Sequence, residues 1–339
     1  MSNFLLRNKV QSLLKSDAKS PLIEIEFLGS GGAFDINEKN SSALLKTAKG
    51  NILIDCGSTV YQELIKRSLI DRLDYVFITH LHEDHIGSLS TLIHHKYFID
   101  KKKVKIECVP ELAQKLKYYL VDITGVLPDA FEINSNEAGD IYKDLNMRII
   151  KINTTNYHFK DLISSGFIFQ MRKSEQNIFI VYSGDINTPI TNIIQEDYVN
   201  IYKKMLEEPD NVFIFHEATA RSYPPYFPHT EFQKLLEVSK TFLNIYTYHH
   251  SNDETKTMSD YQNKQRKLNI ALNRIKAELQ GKIKKTNNDK QVESLKKQAE
   301  KIIDMFKENF ENINNEGFVH DINNVGQILV IQEEKGKLK

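Results

Sequence analysis

The sequence predicts an α/β fold, with short strands delivering polar groups to one edge of a sheet, and three observations carry that expectation. Short β-rich runs alternate with turn residues and a few helical patterns from Leu22 to about His250. Acidic or imidazole side chains stand directly after several of those runs, where a scaffold of this kind collects a site. Between one such run and a helical pattern lies Thr79-His80-Leu81-His82-Glu83-Asp84-His85-Ile86-Gly87, a corner dense in imidazoles and carboxylates.

Taken in order, residues 1–20 form an N-terminal docking helix: Leu6, Val10, Leu13 and Leu14 have helical spacing, Arg7, Lys9 and Lys15 fall between them, and there is no continuous apolar signal core. One domain is read over 21–255. Its strand candidates are 22–28, 52–54, 73–78, 104–109, 147–152, 167–171, 178–182, 212–215 and 243–248, chosen for β-branched and aromatic content. Asp55 follows the second, His80 the third, Asp185 the run through Tyr182, His216 and Glu217 the run through Phe215, and His249 with His250 the last. After His250 the chain turns rich in Lys, Gln, Asn and Glu. Leu268, Leu272, Ile275 and Leu279 make one apolar stripe, and Val292, Leu295, Ala299, Ile302, Phe306 and Phe310 another, so 256–316 is read as a helical hairpin turning near Gly281 to Asn288. Residues 317–339 hold a strand at 326–331 that returns to the sheet, then a tail.

Bulk properties narrow the function. Lys plus Arg (45) equal Asp plus Glu (45), so the whole molecule does not advertise nucleic-acid or membrane binding. Its two cysteines, Cys56 and Cys108, are too few for a disulfide framework, and no apolar run approaches membrane-spanning length. A cytoplasmic protein is expected.

The corner itself reads as a metal site. In extended chain, residues two apart face the same way, so His80 and His82 converge on one ion, while Asp84 and His85, further into the corner, point elsewhere. Four ligands split two and two suit a pair of neighbouring cations sharing a water better than one closed tetrahedral ion.

His80, His82, Asp84 and His85 match the His-x-His-x-Asp-His signature of metallo-β-lactamase-fold hydrolases, and Asp55 in Leu53-Ile54-Asp55-Cys56-Gly57 matches the aspartate motif upstream of it. His158 before Ser165-Gly166-Phe167, Asp185 in Tyr182-Ser183-Gly184-Asp185, and His249 in Tyr248-His249-His250-Ser251 continue the resemblance in order. Phe27-Leu28-Gly29-Ser30-Gly31-Gly32-Ala33 with Asn40-Ser41-Ser42, then Phe215-His216-Glu217-Ala218-Thr219 and Pro228-His229-Thr230, resemble the ribonuclease Z-like branch of that superfamily. The resemblance implies an αββα sandwich carrying the helical hairpin as an insertion near its C-terminus. It implies that His80, His82 and His158 bind one metal, that Asp84, His85 and His249 bind the other, and that Asp185 bridges both. Zinc suits that set, with manganese or iron also admitted. Asp84, Glu217 and His229 are the catalytic candidates, His229 as proton donor to the leaving group and Glu217 as its orienting partner. Asp55 is read as orienting a ligand histidine through its other ring nitrogen. His250 stays open as an alternative to His249, one residue away. The branch also implies a homodimer.

Substrate class follows from what is missing. Ribonuclease Z proper carries a long Gly- and Pro-rich arm between the motifs matched by His158 and Asp185, and the segment between them here leaves room for one strand hairpin. Arm-less relatives include phosphodiesterases acting on cyclic nucleotides, so the resemblance implies a metal-dependent phosphodiesterase acting on a small phosphodiester, a cyclic nucleotide first. A tRNA 3′ endonuclease is the alternative, then a lactone or thioester hydrolase, then a non-catalytic interaction protein. RNA is disfavoured as a partner by the zero net charge, and no membrane partner is expected.

Other conspicuous residues take ordinary readings. Gly29 to Gly32 is a tight turn near the site, since no Lys-Ser/Thr ending follows it. His94 and His95 are satisfied or surface histidines, His216 is structural, His320 lies outside the site and Cys56 faces away from it. Tyr223, Tyr226 and Phe227 pack a loop, with base stacking as the functional alternative. Lys282, Lys284 and Lys285 sit near the hairpin tip, where substrate gripping is the alternative to solvation.

Overall fold

The computed structural model describes residues 23–35, 37–136, 140–143, 145–173, 176–220 and 228–250, the segments 319–321, 328–331, 333–334 and 337–338, and residues 277, 278, 293 and 297. The N-terminal helix of 1–20, the aromatic loop of 223–227 and nearly all of the 256–316 hairpin lie outside the described residues. Apart from a two-residue pair, Glu333–Glu334 with Lys337–Leu338, the described strands are β1 (Ile23–Gly29), β2 (Ser42–Thr47), β3 (Asn51–Ile54), β4 (Tyr75–Phe77), β5 (Val104–Glu107), β6 (Phe131–Asn134), β7 (Asp140–Tyr142), β8 (Met147–Asn153), β9 (Ser165–Lys173), β10 (Gln176–Tyr182), β11 (Val212–Glu217), β12 (Asn244–Tyr248), β13 (Val319–Asp321) and β14 (Ile328–Ile331). They form two seven-stranded sheets, ordered β14-β1-β2-β3-β4-β5-β6 and β13-β12-β11-β10-β9-β8-β7.

Side-chain alternation explains why two sheets stack and what covers them. In β1, Ile23, Ile25 and Phe27 enter the core between the sheets, together with Phe77 of β4, Phe167 and Phe169 of β9, and Phe215 of β11. Glu24 and Glu26 take the other face, where Lys46 reaches both at 2.6 Å. Strands β10 and β11 are apolar at successive positions because both of their faces are covered: Ile178 and Ile180 point into the inter-sheet core, and Phe179 and Val181 into a second core. That second core is roofed by the helices Ile190–Asp197, Val199–Glu207 and Phe232–Val238. A third core lies on the outer face of the first sheet under Val60–Lys66, Leu89–Phe98 and Pro110–Tyr118. The result is a four-layered αββα sandwich.

Phe77 and Phe167 meet edge to face across the sheets at 5.2 Å, and a buried ring of this kind is worth about 3–5 kcal/mol against alanine. A buried ion pair also spans them. Lys151 of β8 lies 3.0 Å from Glu107 of β5, which accepts a 2.6 Å hydrogen bond from Tyr142.

Four strands lie beyond the runs read from sequence: β2 inside the first sheet, and β6, β7 and β13 at sheet edges. β2 joins β1 antiparallel, and its apolar content, Ala43, Leu44 and Leu45, is too short for a periodic signal. β6, β7 and β13 are edge or near-edge strands of three or four residues. The returning segment pairs antiparallel with β1, Ile331 opposite Ile23. Among the described residues, no helix is long and apolar enough to cross a membrane.

Topology places the site. β3, β4, β5 and β6 run parallel in one sheet, and β10, β11, β12 and β13 run parallel in the other. Parallel strands end at a common edge, so Asp55, Thr79 to His85, Asp185, Glu217 and His249 emerge together. β8 lies antiparallel to β9 and β9 to β10, so β8 delivers the His158 loop to that same edge.

Candidate metal centre

The signature segment leaves β4 in extended form and enters the short helix Glu83–Ile86, with His82 at φ −70° and ψ 151° as its N-cap residue. This change of direction separates the two pairs of ligand candidates. His80 Nε2 lies 3.0 Å from His82 Nδ1, and His158 Nε2 lies 3.3 Å from that same atom. Three imidazole nitrogens therefore face one point.

The second group gathers on the other side. His85 Nε2 is 3.4 Å from both Asp84 Oδ2 and Asp185 Oδ2, and His249 Nε2 is 3.3 Å from the same two oxygens. Asp185 Oδ2 also lies 3.8 Å from His158 Nε2, so this one carboxylate touches both groups. Between His249 and its neighbour the geometry chooses His249. Its backbone adopts φ 67°, which aims the ring at Asp84; the amides of both residues donate to Ser30 O, at 2.7 Å and 3.3 Å, but His250 belongs to none of the candidate groups.

Outer partners fix the rings. Buried Asp55 accepts from His85 Nδ1 at 2.8 Å, leaving Nε2 for the site. Thr79 Oγ1 donates to Asp55 Oδ2 at 2.8 Å and lies 3.0 Å from His80 Nδ1, so the same carboxylate steadies His80 through a hydroxyl. Thr79 was not singled out from sequence; the cue was a hydroxyl residue immediately before the first histidine. His158 Nδ1 donates to Pro228 O at 2.9 Å. Two glycines allow the backbone to close around these groups. A Cβ on Gly57 would lie 1.9 Å from Asp84 O, and Gly184, at φ +63°, turns the chain into Asp185.

The electrostatics divide in the same way. Burial drives His80 well below the ordinary imidazole range, and the nearby His85 adds to the effect. Burial also lowers His158 and His82. At His85 burial acts in that direction too, but the Asp185 and Asp55 carboxylates overcome it and hold the ring well above its usual value. Burial opposes ionisation of Asp84, yet the imidazoles of His249 and His85 beside it keep its carboxyl far below the carboxylate range.

A divalent cation fits this donor set. His85 Nε2 and Asp185 Oδ1 are buried without a hydrogen-bond partner, and two carboxylates converge on one imidazole edge where their charges repel. Neutral imidazoles with two carboxylates are the ligands borderline-soft divalent ions prefer.

Beside the second group stands a dyad. Glu217, fully buried at the end of β11, takes His229 Nδ1 at 2.9 Å on one oxygen and the Thr230 amide at 2.6 Å on the other. Burial would depress His229, but Glu217 raises it to about 9. Its ring centroid lies 5.0 Å from that of His249 and 5.3 Å from that of His158.

The remaining candidates sit elsewhere. His216 donates Nδ1–H to Glu217 O and accepts the Ile190 amide on Nε2, a fully satisfied core histidine. His95 bonds Tyr61 on its helix's inner side. Cys56 faces the outer core, and burial pushes its thiol up to about 12. The Gly29 to Gly32 turn packs beside His249, with a Cβ on Gly32 reaching 3.7 Å from His249 Cε1.

Solved structures give this architecture its class. The metallo-beta-lactamase fold protein YhfI from Bacillus subtilis superposes at a TM-score of 0.55 over 91% of this chain and 99% of its own, at 14% identity, so the αββα sandwich is a metallo-β-lactamase fold. Sequence then gives the family: the model for Anti-Pycsar protein Apyc1 matches residues 23–273, and the chain belongs to that family. An Anti-Pycsar protein Apyc1 from Paenibacillus sp. is 35% identical over 96 residues, 28% of this chain and 39% of the relative. A ribonuclease Z from Haloarcula marismortui is 26% identical over 125 residues, 36% of this chain and 40% of the relative. The chain thus aligns with about two fifths of the length of these curated relatives.

Proposed function

We propose that the chain is a metal-dependent phosphodiesterase that hydrolyses a small phosphodiester, a cyclic nucleotide, using His80, His82 and His158 for one ion, Asp84, His85 and His249 for the other, and Asp185 for both. The observation that carries this reading is the position of Asp185 Oδ2, 3.8 Å from His158 Nε2 and 3.3 Å from His249 Nε2, with the Glu217–His229 dyad alongside. Two divalent ions, when bound, supply an acidified water and Lewis acidity toward the phosphoryl oxygens. Asp84 orients the attacking water. His229, protonated near neutral pH because Glu217 raises it to about 9, delivers a proton to the leaving alkoxide oxygen. Glu217 holds the ring so that Nε2 carries that proton outward.

The imidazole-rich first group favours zinc, and the two carboxylates of the second admit manganese or iron. Buried, unpaired Cys56 and Cys108 accord with a reducing cytoplasm, and the ribonuclease Z-like resemblance supports a homodimer.

The test is turnover by metal-loaded protein of 3′,5′-cyclic mononucleotides, cyclic dinucleotides, a precursor tRNA and a homoserine lactone, with His229→Ala in parallel. Cyclic-nucleotide hydrolysis that collapses in the variant is expected. Cleavage of the tRNA alone would move the chain to RNA processing, and lactone hydrolysis that survives His229→Ala would remove the leaving-group argument.

A further inference from the structure

We propose that Phe34 and Phe159 form an aromatic rim that stacks on the nucleobase of a nucleotide whose phosphodiester lies at the ligand groups, an inference that rests on the phosphodiesterase reading above. Phe34 is 97% exposed and Phe159 47% exposed. Single exposed aromatics are ordinary on a protein surface, so position and bracing carry the argument.

Phe159 directly follows His158. Its ring stands at 65° to that of His158 with centroids 4.6 Å apart, and at 70° to His82 with centroids 5.6 Å apart. It therefore walls the all-imidazole group. Phe34 belongs to the other side. The turn that carries it begins at Gly32, whose Cβ position lies 3.7 Å from His249 Cε1, and closes with the Asp35 amide donating to Gly32 O at 3.3 Å. The Phe159 ring thus borders the all-imidazole side, and the turn that carries Phe34 borders the His249 side.

Both turns are braced by hydrogen bonds while Phe34 stands in solvent and Phe159 keeps about half of its surface open. Asp35 Oδ1 accepts from the Asn37 and Glu38 amides at 2.9 Å each, and Gly31 donates to Lys39 O at 2.8 Å. Around Phe159, Asn156 Oδ1 accepts the Asp161 amide at 3.1 Å, the Leu162 amide donates to Phe159 O at 3.1 Å, and Asn156 and Asp161 take φ of 72° and 62°. A ring presented to water on a braced backbone loses little freedom when a flat apolar ligand covers it. Of the parts of a small phosphodiester, only a nucleobase offers such a face, and every base has one.

The chain contains no tryptophan, so Phe34→Trp or Phe159→Trp introduces a single fluorophore at either wall. We expect a nucleoside 5′-monophosphate to quench each tryptophan saturably in metal-loaded protein, with ribose 5-phosphate leaving the emission unchanged. We also expect Phe34→Ala and Phe159→Ala to raise KM for a cyclic mononucleotide by about tenfold, with the larger part of the effect in KM rather than kcat. Emission indifferent to the nucleotide, together with an unchanged KM in both alanine variants of a protein that hydrolyses cyclic nucleotides, would overturn the rim and leave the phosphodiesterase reading standing. Quenching by the nucleotide in a protein that hydrolyses none would preserve the rim and overturn that reading. A change in Phe34→Trp emission with protein concentration alone would place the ring against a second copy of the chain and overturn its role here.

Discussion

His80, His82 and His158 offer only imidazoles to their group, whereas Asp84, His85, Asp185 and His249 bring two carboxylates to theirs. Burial disfavours protonation of each ring of the first group, and half-buried His82 lies at its solvent side. The second is charged and has Asp55 fastened directly to one of its ligands. A dication gains more from two carboxylates in a buried setting than from imidazoles alone. The difference predicts that, with metal bound, the second group would be the anchor and the first the exchangeable position, with Asp185 coupling them.

Breaking the coupling should have the largest effect. Asp185→Asn removes the one charge shared by both groups, so metal content measured by atomic emission should fall for both ions, and activity should drop by more than the roughly 10–100-fold that loss of an outer partner costs. Retention of both ions would mean that the groups bind independently. A smaller and more selective effect is expected from His82→Ala. Chelator titration of the wild type should release metal in two steps, and this variant should lack the weaker step while keeping the tighter one; a single step in both proteins would equalise the groups. The mildest effect should come from the orienting member of the dyad. Glu217→Gln removes the charge that raises His229 to about 9. In the wild type the protonated donor persists until pH rises through that value, so kcat should fall on the alkaline side near pH 9. In the variant the same limb should move to lower pH, and an unmoved limb would assign it to another group.

Much of this was legible in the chain. His80 and His82 share a face by their spacing alone, and the turn into a helix that separates Asp84 and His85 from them followed from the change of period after Ile78. His158, Asp185, Glu217 and His229 rested on resemblance, because residues so far apart in sequence meet only through the parallel order of β8, β10 and β11. Pattern favoured His249 and left His250 open as a one-residue slip, since what distinguishes them is the positive φ of His249 and the approach of its ring to Asp84, both set by tertiary contact. Thr79, Phe34 and Phe159 were overlooked for a related reason: a hydroxyl or a phenyl ring gains its role from what stands opposite. β2 escaped because its pairing with β1 and β3, rather than its own pattern, makes it a strand.

The ligand groups draw on both sheets: His80, His82, Asp84 and His85 come from the end of β4, and His158, Asp185 and His249 from loops of the opposite sheet. A ribosome making this chain releases the histidine-rich corner early and the final imidazole long afterwards. Until residue 249 has emerged and β12 has docked on β11, the nascent polypeptide lacks the last imidazole of the carboxylate-bearing group, although His80, His82, Asp84, His85, His158 and Asp185 are already made. Completion of that group is thereby postponed until strands of both sheets have met, which ties it to the stacking of the sandwich rather than to the synthesis of any one segment.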